Sequence, residues 1–365
     1  MNVFLFGATG SIGKSFFSLL KIYSNEINLV GVQAHKNEEK LLNLKKRYNV
    51  PFAFITGKEG DKKGIIYERG KLIELLTSKR VDIVVFGASG VDLADIFLII
   101  LDSGKRICMA NKEIIIAFGE IVKKKDRKNL IPVDSEHSSL FRLLMNFKRE
   151  DIEKIILTAS GGPFYDLKKE KLKKITKEQA LRHPRWKMGD KITIDSATLI
   201  NKGFEVMEAH YLFDIEPKKI ECLYHPESKI HGMVLLKDGT YLAHIGETDM
   251  RIPILYALFY PEIKEFKKRK FFYEVLNFQK IKKEKRKLID LCYKALKDKR
   301  GKPAFIVGAD EELVKLFLKG EIDFSDIEKI LLKIYKKSPS IDDSNFNEVM
   351  KIIEISKKYV YREIK

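Results

Sequence analysis

Asn2-Val3-Phe4-Leu5-Phe6 runs directly into Gly7-Ala8-Thr9-Gly10-Ser11-Ile12-Gly13, and an amphipathic stretch opens at Lys14-Ser15-Phe16-Phe17. Apolar strand, glycine turn and helix in immediate succession is the layout of a nucleotide-binding βαβ unit. Glycines let the backbone turn tightly and approach a pyrophosphate, and the first N–H groups of the next helix attract its charge. The spacing is G-x-x-G-x-x-G and not the commoner G-x-G-x-x-G, so the turn gains its meaning from context.

The second strand supplies that context. Leu29-Val30-Gly31-Val32-Gln33-Ala34 ends at His35-Lys36-Asn37, where an NAD-binding chain usually carries an acid for the ribose 2′-hydroxyl. An acid would repel a 2′-phosphate and a basic pair attracts it. NADP(H) is therefore favoured over NAD(H).

Working outward, apolar β-rich runs recur at 52–55, 83–86, 106–109 and 130–133, alternating with helical patterns. This predicts an α/β fold, a Rossmann-like parallel sheet over residues 1–134. The apolar run 81–101 is interrupted by Asp82, Asp92, Asp95 and two glycines, so it reads as strand, turn and helix and not as a membrane span. Phe86-Gly87-Ala88-Ser89-Gly90 and Ala110-Asn111-Lys112-Glu113 both follow strands and should face the same crevice as the first glycine turn. Ordinary βα turn chemistry is the plain alternative for each.

From 135 to 260 the pattern changes to that of a central α+β domain, with strands at 155–158, 220–224, 233–236 and 241–245. Lys237-Asp238-Gly239-Thr240 is a hairpin turn between the last two. The sheet of this domain is a candidate surface for dimerisation. A charged connector follows over 261–284. Helical periodicity at 288–296, 309–318, 324–335 and 346–360 predicts a C-terminal helical bundle over 285–365.

Composition narrows the class. The chain has 365 residues, 45% hydrophobic and 33% charged, with a formal net charge of +18. Its basic residues are interleaved with acids along the chain, which suits solvated helix faces and attraction of anionic small molecules better than a nucleic-acid footprint. Cys108, Cys222 and Cys292 are far apart and form no metal-binding spacing, which fits a reducing, cytoplasmic setting. With the first strand beginning at residue 2, no leader peptide is expected.

Three stretches carry chemistry. In Ile131-Pro132-Val133-Asp134-Ser135-Glu136-His137 two carboxylates stand at a strand end, where a helix begins near Ser135. Either they cap and charge that helix, or they hold a cation, and hard oxygen donors favour Mg²⁺ or Mn²⁺. Glu205 and Glu208 share one face of a helical segment among Phe204, Val206, Met207 and Ala209, so they are expected to be partly buried and to need a partner. Between these acids lie Thr158-Ala159-Ser160-Gly161-Gly162-Pro163-Phe164 and His183-Pro184-Arg185-Trp186-Lys187-Met188-Gly189. The first offers N–H groups and the Ser160 hydroxyl to an anion. The second holds the only tryptophan and reads as a mobile loop over 180–190. Ser196, Asn201 and Lys202 bring together hydroxyl, amide and ammonium donors suited to a phosphate monoester.

G-A-T-G-S-I-G, A-N-K-E, P-V-D-S-E-H, T-A-S-G-G-P-F, H-P-x-W-x-M-G and D-S-A-T-L-x-N-K-G-x-E-x-x-E-A-H, in this order, resemble the 1-deoxy-D-xylulose 5-phosphate reductoisomerase family. The resemblance runs from residue 7 to about 210 and continues through 246–253 and the helical tail. It implies a homodimeric, NADPH- and divalent-metal-dependent enzyme that isomerises a metal-chelated hydroxyketone and reduces the resulting aldehyde, with Mg²⁺, Mn²⁺ or Co²⁺ as the ion. The product would be 2-C-methyl-D-erythritol 4-phosphate, in the non-mevalonate isoprenoid pathway.

Carried over motif by motif, the resemblance gives Asp134, Glu136 and Glu205 as metal ligands. It gives Lys112, Glu136, His183 and Glu205 as catalytic residues, and Ser135 beside the substrate. Ser160, Ser196, Asn201 and Lys202 would hold the phosphate, and Trp186 and Met188 would cover the carbon skeleton. Thr9, Gly10, Ser11, Ile12, His35, Lys36, Asn37, Asn111, Glu113 and Gly189 would contact NADPH. Two departures stand out: His35 replaces a glycine common in the family, and Asp310 stands where Asn is expected.

The rival readings are another NADP-dependent oxidoreductase, a metal-dependent sugar-phosphate isomerase or binding protein without redox chemistry, and a nucleic-acid-binding module. Semialdehyde dehydrogenases of the first kind need a catalytic cysteine after the cofactor domain, and Cys222 has no such setting. The basic end of the second strand speaks against the non-redox reading.

Overall fold

The computed structural model describes residues 1–164, 175–182, 189–266 and 275–364. Their contacts group into two compact units that do not follow consecutive sequence. The first gathers the described residues of Met1–Asn111, Lys125–Ser138 and Asp249–Phe272, and the second those of Lys112–Lys124, Ser139–Thr248 and Tyr273–Lys365.

The first unit is built on a six-stranded sheet: β1 (Asn2–Phe6), β2 (Asn28–Ala34), β3 (Phe52–Ile55), β4 (Ile83–Phe86), β5 (Arg106–Met109) and β6 (Leu130–Pro132). The spatial order is β3-β2-β1-β4-β5-β6 and every pairing is parallel. The strands are nearly continuous apolar runs because helices cover both faces of such a sheet. Val3, Phe4, Leu5 and Phe6 are wholly buried, and Phe6 stacks on Phe86 with centroids 4.7 Å apart. Chain order reverses between β1 and β4, the switch point at which doubly wound sheets leave a crevice.

The Arg251–Phe259 helix, which sequence pattern did not single out, belongs to this unit. Its seven residues from Pro253 to Phe259 are all buried. Arg106 donates to Leu258 O at 2.9 Å, and Phe259 packs on Tyr23, so apolar burial and not amphipathic periodicity holds it.

The second unit contains a mixed sheet of β7 (Ile152–Ala159), β8 (Ile220–Tyr224), β9 (Ile230–Leu236), β10 (Tyr241–Ile245) and β11 (Gln279–Lys280), in the order β10-β9-β7-β8-β11. Only β7 and β8 run parallel. The β9–β10 hairpin turns where expected, with Gly239 at φ +87° and Asp238 accepting from Thr240 N–H. β11 falls inside the stretch expected to be a bare connector: His225 bonds Asn277 O at 2.9 Å and stacks on Phe278, which draws this segment to the sheet edge.

At the centre of this unit lies the Ile200–Phe213 helix, buried almost all round. Gly203 admits the Lys287–Asp298 helix, since a Cβ there would come within 2.6 Å of Cys292 Sγ. The Lys302–Lys319 helix begins earlier than its apolar periodicity suggested, with Pro303 in its first turn. The Phe324–Lys337 and Phe346–Ile364 helices complete the helical C-terminal region.

Candidate functional site

The glycine turn of the first unit is held by its neighbours so that one position stays open. Gly7 has φ +68°, and a Cβ there would lie 2.4 Å from Gly87 O, so the turns after β1 and β4 meet backbone to backbone. At Gly13 a Cβ would lie 2.2 Å from Ala8 O, which fixes the Ser11–Leu20 helix against its strand. Gly10 differs, because a Cβ would approach only Gly7 O, at 3.3 Å. Its surface is exposed, as is that of Ser11, while Thr9 and Ile12 are half-buried. No side chain caps the helix that starts at Ser11, so its first N–H groups point to the edge of the sheet as an anion site requires.

Two side chains that sequence reading passed over brace this turn. Gln33, 1% exposed, accepts from Gly7 N–H at 3.0 Å, and Lys40 donates to Thr9 O at 2.8 Å. A lone amide in an apolar strand was the available signal for Gln33. Beyond β2, His35, Lys36 and Asn37 are exposed, and Asn37 caps the Glu38–Arg47 helix by accepting from Lys40 N–H. Asn111 is buried and donates to Ala88 O at 2.8 Å and Gly90 O at 2.7 Å, locking the turn after β4 to the end of β5. At the end of β6, Asp134, Ser135 and Glu136 are half-buried, and Ser135 Oγ donates to Glu136 Oε2 at 2.5 Å.

In the second unit the segments that carry Ser160, Ser196, Asn201 and Lys202 approach one another. Leu199 adopts φ +65°, a left-handed break between the Asp190–Thr198 and Ile200–Phe213 helices, so Ser196 and Asn201 fall on either side of a sharp bend. Gly161 and Gly162 have φ of +91° and +64°. A Cβ on Gly162 would lie 3.0 Å from Ser196 O, so the turn after β7 approaches the end of the Asp190–Thr198 helix. Lys202 donates to Thr158 O, tying the Ile200–Phe213 helix to the same strand end.

Glu205 is the most enclosed of the expected metal ligands, at 1% exposure. Asn201 donates to its Oε1 at 2.5 Å, Lys202 donates to Oε2, and Lys112 lies 3.5 Å from Oε1. Lys112, itself buried, also donates to Asn201 Oδ1 at 2.9 Å. A buried carboxylate therefore sits among two ammonium groups and an amide, which compensates the cost of its desolvation. Glu208, one turn further along the helix, is equally buried, in line with its apolar sequence neighbours. Glu113 is half-buried and 3.9 Å from Lys191. Gly189 is exposed at the start of its helix, whereas His183, Trp186 and Met188 lie outside the described residues.

Sequence reasoning missed one further cluster, in which Lys191 bridges Asp195 and Asp310. The departure at Asp310 was its only signal.

Three family models match the chain: 1-deoxy-D-xylulose 5-phosphate reductoisomerase over residues 3–119, the C-terminal domain of 1-deoxy-D-xylulose 5-phosphate reductoisomerase over 130–213, and the DXP reductoisomerase C-terminal domain over 245–359. The chain is 40% identical to the 1-deoxy-D-xylulose 5-phosphate reductoisomerase of Aquifex aeolicus, covering 100% of this chain and 98% of the relative. It is also 40% identical to that of Sulfurihydrogenibium sp., covering 98% and 99%. A crystal structure of DOX-P reductoisomerase in complex with NADPH, fosmidomycin and magnesium superposes with TM-score 0.92 and 28% identity, covering 100% of this chain and 98% of that one. The Zymomonas mobilis enzyme in complex with NADPH gives TM-score 0.88 and 30% identity, covering 100% and 99%.

Proposed function

The chain belongs to the 1-deoxy-D-xylulose 5-phosphate reductoisomerase family, and we propose that it converts 1-deoxy-D-xylulose 5-phosphate to 2-C-methyl-D-erythritol 4-phosphate. It is an NADPH-dependent oxidoreductase acting in the non-mevalonate route to isoprenoid precursors. The carrying observation inside the molecule is the Glu205 carboxylate, buried among Lys112, Asn201 and Lys202. Grouping so many charged groups inside a core is costly, and a fold has no need of it.

By the family resemblance, Asp134, Glu136 and Glu205 are the proposed ligands of a divalent ion. The donor set is all oxygen and carries three negative charges, which fits Mg²⁺, Mn²⁺ or Co²⁺. When bound, the ion supplies Lewis acidity and NADPH supplies the hydride. Thr9, Gly10, Ser11 and Ile12 receive the pyrophosphate of NADPH on open backbone, and Asn111, Glu113 and Gly189 contribute to the same cofactor. His35, Lys36 and Asn37 receive its 2′-phosphate.

Ser160, Ser196, Asn201 and Lys202 bind the substrate phosphate. Ser135 and Glu136 lie beside its reacting end, and Lys112 supports proton movement and negative charge there. Holding the phosphate away from the reacting carbons lets binding energy serve the rearrangement, in which a carbon–carbon bond migrates before the aldehyde is reduced. His183, Trp186 and Met188 cover the carbon skeleton and exclude water.

The active form is a homodimer. The outward face of β10 presents Tyr241 at 61% and Ile245 at 49% exposure on an edge strand, a surface that benefits from being covered. The three cysteines are free and buried, which suits a cytoplasmic enzyme.

The test is NADPH oxidation by purified protein. Turnover is expected only with both 1-deoxy-D-xylulose 5-phosphate and Mg²⁺, Mn²⁺ or Co²⁺ present. Undiminished turnover in excess EDTA, or none with metal and substrate supplied, overturns the assignment.

A further inference from the structure

The cluster around Lys191 joins three helices of the second unit. Its ammonium, on the Asp190–Thr198 helix, contacts Asp195 Oδ2 one turn along and lies 2.8 Å from Asp310 Oδ2 on the Lys302–Lys319 helix. Glu113, on the Lys112–Ala117 helix, stands 3.9 Å away. Asp195 is 2% and Asp310 0% exposed. Among the described residues, one half-buried ammonium, its side chain 22% exposed, therefore faces three carboxylates, of which Asp195 and Asp310 are buried.

Two atoms expose the imbalance. Among the described residues, Asp195 Oδ1 and Asp310 Oδ1 are buried without a hydrogen-bond partner. An unsatisfied buried carboxylate oxygen is strongly disfavoured, and two carboxylates at one ammonium relieve it most cheaply by retaining a proton. Burial first, then the charge of Asp310, pushes the Asp195 carboxyl well above the usual carboxylate range despite Lys191. Burial alone would lower Lys191, but Asp195, Asp310 and Glu113 outweigh it and hold the ammonium charged.

Among the described residues, the other elements around the cluster bring no second cation within ion-pair distance of it. The Ile200–Phe213 helix sets the Phe204 ring 5.2 Å from the Lys191 ammonium. The Lys287–Asp298 helix contributes the buried Cys292 thiol, raised by burial and then by Asp310. On the Phe346–Ile364 helix, Lys357 lies 3.6 Å from Glu311 and Tyr361 donates to Glu312, the two residues after Asp310. On the Lys177–Ala180 helix, Lys177 is spent on Leu318 O.

We propose that Asp310 is a positioning residue: with Lys191 and Asp195 it forms a clamp that holds one proton and fastens the Ser196-bearing helix to the C-terminal helical region. Loss of that proton adds an uncompensated buried charge, loosens the helix and weakens the grip on the substrate phosphate. This last step rests on the reading of Ser196 as a phosphate ligand.

The experiment compares the full-length protein with Asp310→Asn, which keeps the shape and removes the second carboxylate. Infrared difference spectra at neutral pH are expected to show a protonated aspartate carbonyl band in the wild type that is lost in the variant. A group whose carboxyl is raised in the fold gives stability that falls as pH rises through that raised value. The wild-type melting temperature is thus expected to drop by about 3 °C or more relative to Asp310→Asn towards alkaline pH. KM for 1-deoxy-D-xylulose 5-phosphate should rise about threefold to tenfold in the wild type over the same range, with kcat moving less.

Absence of the infrared band, or equal pH dependence of melting in both proteins, overturns the clamp. A parallel KM profile overturns the positioning role. A stoichiometric metal ion in dialysed wild type that is missing from the variant overturns the proton in favour of a cation. If neither protein turns over the substrate, the functional reading fails, and the spectroscopic and melting results still decide the clamp.

Discussion

Asn201 lies one helical turn before Glu205 and donates to its Oε1 at 2.5 Å, while its own Oδ1 accepts from Lys112. The amide is the pivot of the buried charge cluster, because it orients the carboxylate and the ammonium at the same time. A hydrogen bond to a charged group is worth about 1.5–3 kcal/mol. Asn201→Ala is therefore expected to raise the Mg²⁺ concentration for half-maximal activity by about 10- to 100-fold, measured by metal titration of the NADPH assay. An unchanged metal requirement would remove Asn201 from this role.

Glu205→Gln keeps the shape of the side chain and removes its charge. The glutamine still accepts from Asn201 but leaves the buried Lys112 and Lys202 ammoniums without their carboxylate, so folding is checked by circular dichroism, and the proposed metal site loses an anionic ligand. kcat is expected to fall by about 100-fold or more with NADPH affinity unchanged. Steady-state kinetics with cofactor titration by fluorescence separates the two, and wild-type turnover would show that Glu205 is not a metal ligand.

The glycine turn permits a paired prediction. Gly7→Ala forces a Cβ into the left-handed region and to within 2.4 Å of Gly87 O, which should cost about 2 kcal/mol or more in stability. Gly10→Ala meets only Gly7 O at 3.3 Å. It should cost no more than about 1 kcal/mol yet weaken NADPH binding by about tenfold or more if the pyrophosphate approaches this open backbone as proposed. Chemical denaturation and cofactor titration of both variants check the contrast, and loss of stability in both would mean that Gly10 is merely structural.

That contrast also marks what could be read from the sequence. The strands β1 to β6 were legible because both faces of a parallel sheet are buried and their residues form continuous apolar runs. Glu205 could be suspected because an acid amid Phe204, Val206 and Met207 has no solvent to face. The Arg251–Phe259 helix was not legible, since burial on all sides erases the periodicity by which helices are recognised. Lys191, Asp195 and Asp310 look like ordinary surface charges in sequence, and only the packing of distant helices reveals that they share one buried site.

His35 offers a test of cofactor choice. It stands exposed at the end of β2 beside Lys36, where an acid would repel a 2′-phosphate. His35→Asp is expected to raise KM for NADPH by about tenfold while leaving that for NADH nearly unchanged, because only NADPH carries the charge. Equal effects on both cofactors would place His35 away from the 2′-phosphate.

On the acid side, stability should report on His244. Its Nδ1 lies 2.9 Å from Ser139 Oγ. Burial, followed by the charges of Arg142 and His231, lowers it from 6.5 to about 4. A base depressed in the fold binds protons more readily when unfolded, so the stability of its neutral form is present above pH 6.5 and is lost as pH falls towards 4. His244→Gln retains a partner for Ser139 and removes the titration. The melting temperature of the variant should therefore fall less steeply with acidification than that of the wild type. Some slope will remain, because burial also lowers His210. Identical slopes in differential scanning fluorimetry across this range would show that protonation of His244 does not govern the acid limit of the fold.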